Sequence, residues 1–319
     1  MKKHIAFICM LMITFTACNH KKQTESQGPL QELKLGAMSS MDYLPFVIAQ
    51  KQGIYDSLGL KVDIVKFFSA NDRDAAFQSG NIDGTVIDFT GAALQQANGV
   101  DLKMIMKNDG FFYLITGKNA KIDSLSQLKG KNIAVSRNTV VEYSTDKALE
   151  AGKIKGSEVN KPEINKIPLR LEMLQNGQID ASIFPDPFAT IAINNGNKSL
   201  ITTKDLGISV TGTMFTGKAV KEKPEEIKAL IKGYNLGVEY IKTHPVEVWA
   251  SILVEDAGLP AALTKEIILP DYQPATLPSE NDIKNTVQWL KAKKLIPLEY
   301  NGKELVDTTF IRPAVNPGK

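Results

Sequence analysis

The sequence holds little of what most catalytic centres need. Of 319 residues, two are cysteine and three are histidine. Both cysteines, Cys9 and Cys18, fall near the start of the chain, so no disulfide framework and no cysteine metal site is open to the remainder. His4 and His20 are also close to the N-terminus. That leaves His244, just before Pro245, where a helix end is the plain reading. A Ser-His-Asp triad, a Cys-His pair and a histidine metal site are all argued against by this shortage. There is no GxGxxG, no Walker loop, no GxSxG and no HExxH. No metal and no cofactor is expected. Neither sign of charge dominates: 38 Lys and Arg stand against 35 Asp and Glu, interspersed throughout, for a net charge of +3. That is no footprint for nucleic acid.

Long apolar runs are missing too. Lys2 and Lys3 precede Ile5–Phe15, an apolar stretch of about a dozen residues, too short to cross a bilayer as a stable helix. Phe15-Thr16-Ala17-Cys18 sets a small residue before a cysteine and resembles a lipobox. Residues 1–18 are therefore expected to be a lipoprotein signal peptide, with lipidated Cys18 the first mature residue. An ordinary signal peptide with an incidental cysteine is the other reading. Residues 19–32 are mostly polar and read as a flexible tether from membrane to domain. The expected location is the extracytoplasmic face of the cell envelope, lipid-anchored.

What is present is alternation. Short apolar strands and helices follow one another from Leu33, the grammar of an α/β protein, over a length that suits two domains. One phrase recurs: Phe77–Asp88, FQSGNIDGTVID, is echoed by Leu174–Phe184, LQNGQIDASIF, with Gln78 on Gln175, Gly80 on Gly177 and Asp83 on Asp180. Each copy reads as a helix end, a glycine stop and a strand. Asp83 and Asp180 read as structural turn residues. Two copies of one unit predict two similar lobes, with residues 33–112 and 214–319 forming the first and 113–213 the second. Each is expected to be a mostly parallel sheet flanked by helices. The sequence further predicts a strand over Glu163–Ile167, helices over Pro224–Thr243, Pro245–Ala257, Pro260–Ile268 and Ser279–Lys293, and neighbouring strands at Leu114–Lys118 and Met214–Lys218, which share the ending TGK.

In open α/β sheets ligands sit at the carboxyl ends of the strands. Four polar turns fall there. They are Ser39, Ser40, Asp42 and Tyr43; Asp88, Phe89 and Thr90; Ser136, Arg137, Asn138 and Thr139, with Glu142 beyond; and Phe184 and Asp186. Thr211 joins them from the later chain. Each has a bland alternative. Ser39, Asp42, Asp88 and Ser136 suit helix N-caps, and Glu142 stands at capping-box spacing from Thr139. Asp186 lies between two prolines and suits a turn. Tyr43 and Phe89 fit either ring stacking or the core. Arg137 fits either an anion or solvent.

The order of these pieces resembles a known family. Tyr43-Leu-Pro-Phe-Val-Ile-Ala-Gln-Lys-Gln-Gly-Ile-Tyr, then Leu58-Gly-Leu-Lys-Val, Gln78-Ser-Gly-Asn-Ile-Asp-Gly and Asp123-Ser-Leu-Ser-Gln-Leu-Lys-Gly-Lys-Asn-Ile-Ala are similar to segments of bacterial solute-binding proteins for alkanesulfonates, taurine, nitrate and thiamine pyrimidine precursors. The resemblance runs from about Leu33 to Leu290. It implies a two-lobed periplasmic-binding-protein fold of type II, with two crossings between the lobes. It also implies a monomeric, non-enzymatic protein that traps a small molecule by hinge closure and delivers it to an ABC permease and its ATPase, beside which the lipid would hold it. The pyrimidine-synthase relatives use a histidine-rich pocket, from which this chain departs. Because Asp88, Asp186 and Glu142 are acidic, an amine-bearing ring such as an aminopyrimidine is favoured over a bare oxyanion. A zwitterion such as taurine remains open, with Arg137 or a helix N-terminus taking the sulfonate. Two other classes also stay open: a slow or single-turnover heterocycle-processing enzyme on the same fold, and a ligand-sensing module for a membrane partner.

Overall fold

The computed structural model describes residues 29–311. Cys18, its proposed lipidation and the signal peptide lie outside the described residues. Among the described residues nine strands are formed: β1 (Leu33–Met38), β2 (Val62–Phe67), β3 (Gly84–Asp88), β4 (Leu102–Lys107), β5 (Phe112–Thr116), β6 (Ile133–Ala134), β7 (Ala181–Pro185), β8 (Lys198–Thr202) and β9 (Thr211–Thr216). Between and after them run α1 (Leu44–Lys51), α2 (Ile54–Ser57), α3 (Ala70–Gln78), α4 (Phe89–Ala97), α5 (Val140–Ala151), α6 (Ile167–Gln175), α7 (Phe188–Asn194), α8 (Gly217–Glu222), α9 (Pro224–Thr243), α10 (Ala250–Glu255) and α11 (Glu280–Ala292).

The strands make two sheets. One has the order β2-β1-β3-β9-β4 and the other β6-β7-β5-β8. In the first, β2, β1 and β3 are parallel, while β9 runs antiparallel to both β3 and β4. In the second, β6 and β7 are parallel, and β5 is antiparallel to β7 and β8. The sheets are thus mixed, each parallel only on one side. β3, β5 and β7 are buried along their whole length, as strands covered on both faces must be. Each sheet carries apolar packing on both faces: Phe46, Tyr234 and Trp249 against one side of the first, Phe77, Met104 and Leu290 against the other. The second has Leu128, Leu149 and Ile183 on one side and Ile115, Leu174 and Phe184 on the other.

The repeated phrase is built the same way twice. The Asp83 carboxylate accepts the Lys34 backbone N–H at 2.9 Å, and the Asp180 carboxylate accepts that of Asn132 at 2.8 Å. Each acid therefore closes the entry of the adjacent parallel strand, the structural role expected of it. Two residues later the Thr85 hydroxyl donates to Gly36 O at 2.9 Å and the Ser182 hydroxyl to Ala134 O at 2.8 Å.

The chain passes between the sheets twice, at residues 108–111 and 208–210. Asn108 fastens these segments. Its N–H donates to Thr211 O (2.9 Å), its side-chain amide donates to Asp42 O (3.1 Å), and its side-chain oxygen accepts from the Thr213 hydroxyl (2.7 Å). Phe89 N–H donates to Val210 O at 2.9 Å. Gly110 passes so close to the Asp42 turn that a Cβ there would lie 2.7 Å from Asp42 Cβ.

Helix α9 matches its expected bounds. Its stripe of Ile227, Leu230, Ile231, Tyr234 and Val238 is buried, and a Cβ on Gly237 would stand 2.3 Å from Pro45 O of α1. Other expectations fail. Glu163–Ile167 is no strand: Glu163 makes an isolated bridge to Val135, and Ile167 already opens α6 with Pro168 in its first turn, where a missing N–H costs nothing. Pro245–Ala257 divides into a 3-10 turn at Val246–Val248 and the short α10, and only Ala261–Leu263 of Pro260–Ile268 is helical, again as a 3-10 turn. The TGK pair are not neighbours: β5 and β9 belong to different sheets. Thr216 caps α8 whereas Thr116 leads into a turn, so the shared letters hide different local structures. Among the described residues, no helix is long and apolar enough to cross a membrane.

Candidate functional site

A partly enclosed cavity of about 50 Å³ lies between the two sheets, lined from both. It has room for roughly three or four water molecules, so it suits a compact ligand in this arrangement. Six residues expected from sequence line it: Ser40, Asp42, Asp88, Ser136, Thr139 and Thr211. Ala70, Arg73, Asn165, Ile167 and Arg170 were not expected there.

The wall from the five-stranded lobe is acidic with one cation. Asp42, in a 3-10 turn after β1, is buried and accepts a hydrogen bond from the Ser40 hydroxyl. Burial pushes its carboxyl above the usual carboxylate range, against the pull of the Ser40 bond. Asp88 caps α4: its Oδ1 accepts Gly91 N–H at 2.7 Å and the Thr90 hydroxyl. Arg73, on α3, is buried and faces acids on two sides. Its Nε donates to Asp74 Oδ1 at 2.9 Å, and its Nη2 stands 3.7 Å from Asp88 Oδ2. Nη2 still lacks a hydrogen bond of acceptable geometry, and Thr211 Oγ1 lacks one as well.

The opposite wall is different. The Ser136 hydroxyl donates to Asn165 Oδ1 (3.0 Å), and the Thr139 hydroxyl donates to Ser136 O (2.8 Å) while capping α5. Val140 and Val141, the first residues of α5, also line the cavity, so the positive end of that helix dipole opens onto it. Arg170, on α6, is 1% exposed. Its guanidinium donates to Ile164 O (2.8 Å) and Ile183 O (3.4 Å) and lies over the Phe184 ring at 5.3 Å. Among the described residues no carboxylate comes within ion-pair distance of it, and its Nε has no partner. Burial alone, with no counter-charge to offset it, lowers its pKa to about 10.

Nine expected residues fall outside the lining. Ser39 is buried, its hydroxyl donating to Ala257 O, and Tyr43 is a core ring whose hydroxyl donates to Asp256 O. Phe89 and Phe184 are core, on opposite lobes. Thr90 serves Asp88. Arg137 points outward, half exposed, and pairs with Glu163 at 3.0 Å; it is not the cleft-side arginine. Asn138 takes the left-handed conformation (φ 61°) that lets the turn close, and gives its N–H to Glu142 Oε2 at 2.8 Å. Glu142 is turned to Lys293. Asp186 accepts from the Thr190 N–H (2.9 Å) and hydroxyl (2.7 Å). Polar residues at strand ends often bond nearby backbone first, as Glu142 and Asp186 do.

The two arginines were missed because a lone arginine on a helix reads as solvated, in the polar α3 and in the more apolar α6 alike. A signal existed. The offset of 97 that sets Gln78 on Gln175 also sets Arg73 on Arg170 and Ala70 on Ile167.

The family model described as NMT1/THI5 like matches residues 40–248, well over half of the chain. Among solved structures, the ligand binding component of an ABC-type import system from Staphylococcus aureus, with zinc bound, is similar at TM-score 0.75 and 16% identity, over 88% of this chain and 97% of that one. The periplasmic aliphatic sulphonate binding protein SsuA from Escherichia coli is similar at TM-score 0.72 and 17% identity, over 88% and 99%. The desulfurization enzyme DszB is similar at TM-score 0.63 and 13% identity, over 89% and 97%. At such identities the likeness speaks for the fold, which is that of periplasmic binding proteins. No curated protein matches the sequence significantly.

Proposed function

The chain belongs to the NMT1/THI5-like family, and on that footing we propose that it is the solute-binding component of an ABC importer, capturing a small organic anion of the sulfonate type between its lobes. Arg170 carries this reading. A buried guanidinium without a carboxylate costs several kcal/mol of desolvation, and a ligand anion is the counter-charge its site leaves room for. The N-terminus of α5 lines the same space and adds backbone donors to it. Asp42 and Asp88 on the other wall suit an ammonium, so a short aminosulfonate fits both walls. The arginine without a counter-charge favours such a ligand over an aminopyrimidine ring. The lining contains no His, Cys or Lys, so it offers no imidazole base and no thiol or amine nucleophile, which supports capture over turnover.

In this reading the lobes, joined through residues 108–111 and 208–210, close over the ligand by a hinge movement. Lipidated Cys18 and the segment to residue 32 hold the protein beside its permease.

A thermal-shift series tests the ligand class. Ethanesulfonate and taurine raise the melting temperature, since a ligand at a hundred times its Kd adds about 2.7 kcal/mol. A rise with an aminopyrimidine and none with either sulfonate overturns the assignment.

A further inference from the structure

The lobes meet again beside the cavity, through side chains that do not line it. Glu142 and Asp146 lie one turn apart on α5, in the four-stranded lobe. Trp289 lies on α11 and Lys293 is its C-cap; this helix packs against α4 in the other lobe. Lys293 Nζ is 2.5 Å from Glu142 Oε1 and 3.5 Å from Asp146 Oδ2. The Trp289 indole N–H donates to Asp146 Oδ2 at 2.9 Å, and the ring meets Tyr143 edge-on with centroids 5.4 Å apart. Trp289 packs against apolar clusters of both lobes. The other Glu142 oxygen accepts the Asn138 N–H at 2.8 Å. Asn138 sits between Ser136 and Thr139, which line the cavity. One buried carboxylate therefore holds the cavity turn with one oxygen and the opposite lobe with the other.

We infer that Glu142 is a positioning residue that couples the Ser136–Thr139 turn to lobe closure, with Lys293 and Trp289 as the latch it engages. The inference rests on the ligand-capture reading. Glu142 is 3% exposed, so in the closed state its charge depends on Lys293 and on the turn N–H. A ligand that fixes the turn fixes the carboxylate that Lys293 must meet, and so favours the closed arrangement over the open one. The latch also holds a share of ligand-free molecules closed.

Tryptophan emission of the full chain tests this. The chain has two tryptophans, and Trp249 is core, 1% exposed, within one lobe, so lobe opening is read by Trp289. Lys293→Met and Glu142→Gln are each expected to red-shift the emission of ligand-free protein, and the shift disappears in a Trp289→Phe background. Both raise the dissociation rate of ethanesulfonate roughly three- to tenfold, and the double variant is no faster than the faster single, as coupled residues behave. Lys293→Arg stays near wild type. Far-ultraviolet circular dichroism separates a folded variant from an unfolded one, and Lys293→Gln replaces Lys293→Met where that variant unfolds. Unchanged emission in the ligand-free variants overturns the latch, as does an unchanged dissociation rate. Failure of ethanesulfonate to bind wild type counts against the capture reading alone, because the ligand-free emission still decides the latch.

Discussion

Arg73 and Arg170 occupy equivalent places in the two lobes, on the helix before the repeated strand, and both are buried against the cavity. Their surroundings differ. Arg73 is flanked by Asp74 and Asp88, whereas the positions 97 residues on are Leu171 and Pro185. One arginine is compensated within its own wall; the other is oriented by two carbonyls and left with its charge. In the proposed reading the same residue in the same supersecondary setting is a buttress in one lobe and a ligand group in the other, and its immediate neighbours make the difference.

The largest effect that would break this comparison is on affinity. Arg170→Met should weaken sulfonate binding by at least a hundredfold by calorimetry, the loss of a buried charged pair being worth about 3–5 kcal/mol. Its ligand-free melting temperature should not fall, because an uncompensated charge has been removed. Arg73→Met should do the reverse in stability: it strands Asp74 and Asp88 and should lower unfolding free energy in urea by about 2–4 kcal/mol. A loss of stability in Arg170→Met equal to that in Arg73→Met would erase the distinction.

Asp42 sharpens the comparison through pH. Its folded pKa lies above its unfolded value, so the native state holds the extra proton, and stability is lost as pH rises through the folded pKa. Asp42→Asn should therefore be the more stable protein near neutrality. Its advantage should shrink as pH falls towards the unfolded carboxylate value of about 3.9. Asp74 and Asp186 are shifted the same way and remain in both proteins, so the difference between the two curves is the quantity to follow. The smallest effect is expected at the surface: Arg137→Ala should leave affinity unchanged and cost under about 1 kcal/mol, as exposed pairs do.

Much of the fold was legible in the sequence because the glycine stops, the apolar strands and the stripe of α9 are local signals. The acids of the repeat, Asp83 and Asp180, were legible for the same reason. What failed was whatever depended on distant packing. The segment after Pro245 carries helix-starting prolines, yet Gly258 adopts φ 79° and the chain folds into short turns over the first lobe. Glu142 looked available because Lys293 comes from far along the chain, and Asp186 because its flanking prolines do not foretell its bonds to Thr190. The burial of Arg73 is set wholly by tertiary contact, since its helix, ANDRDAAFQ, is polar. Only the numerical repeat pointed to it.

Asn108 has a wider consequence. Its three hydrogen bonds go to Asp42, Thr211 and Thr213, all on the five-stranded side. A rotation of the four-stranded lobe about the crossing segments would leave them intact. Under the proposed hinge closure, an incoming molecule would meet one jaw already cast and a second that swings to it. The disorder of the fixed jaw was surrendered when the protein folded, and it takes nothing from the strength of capture.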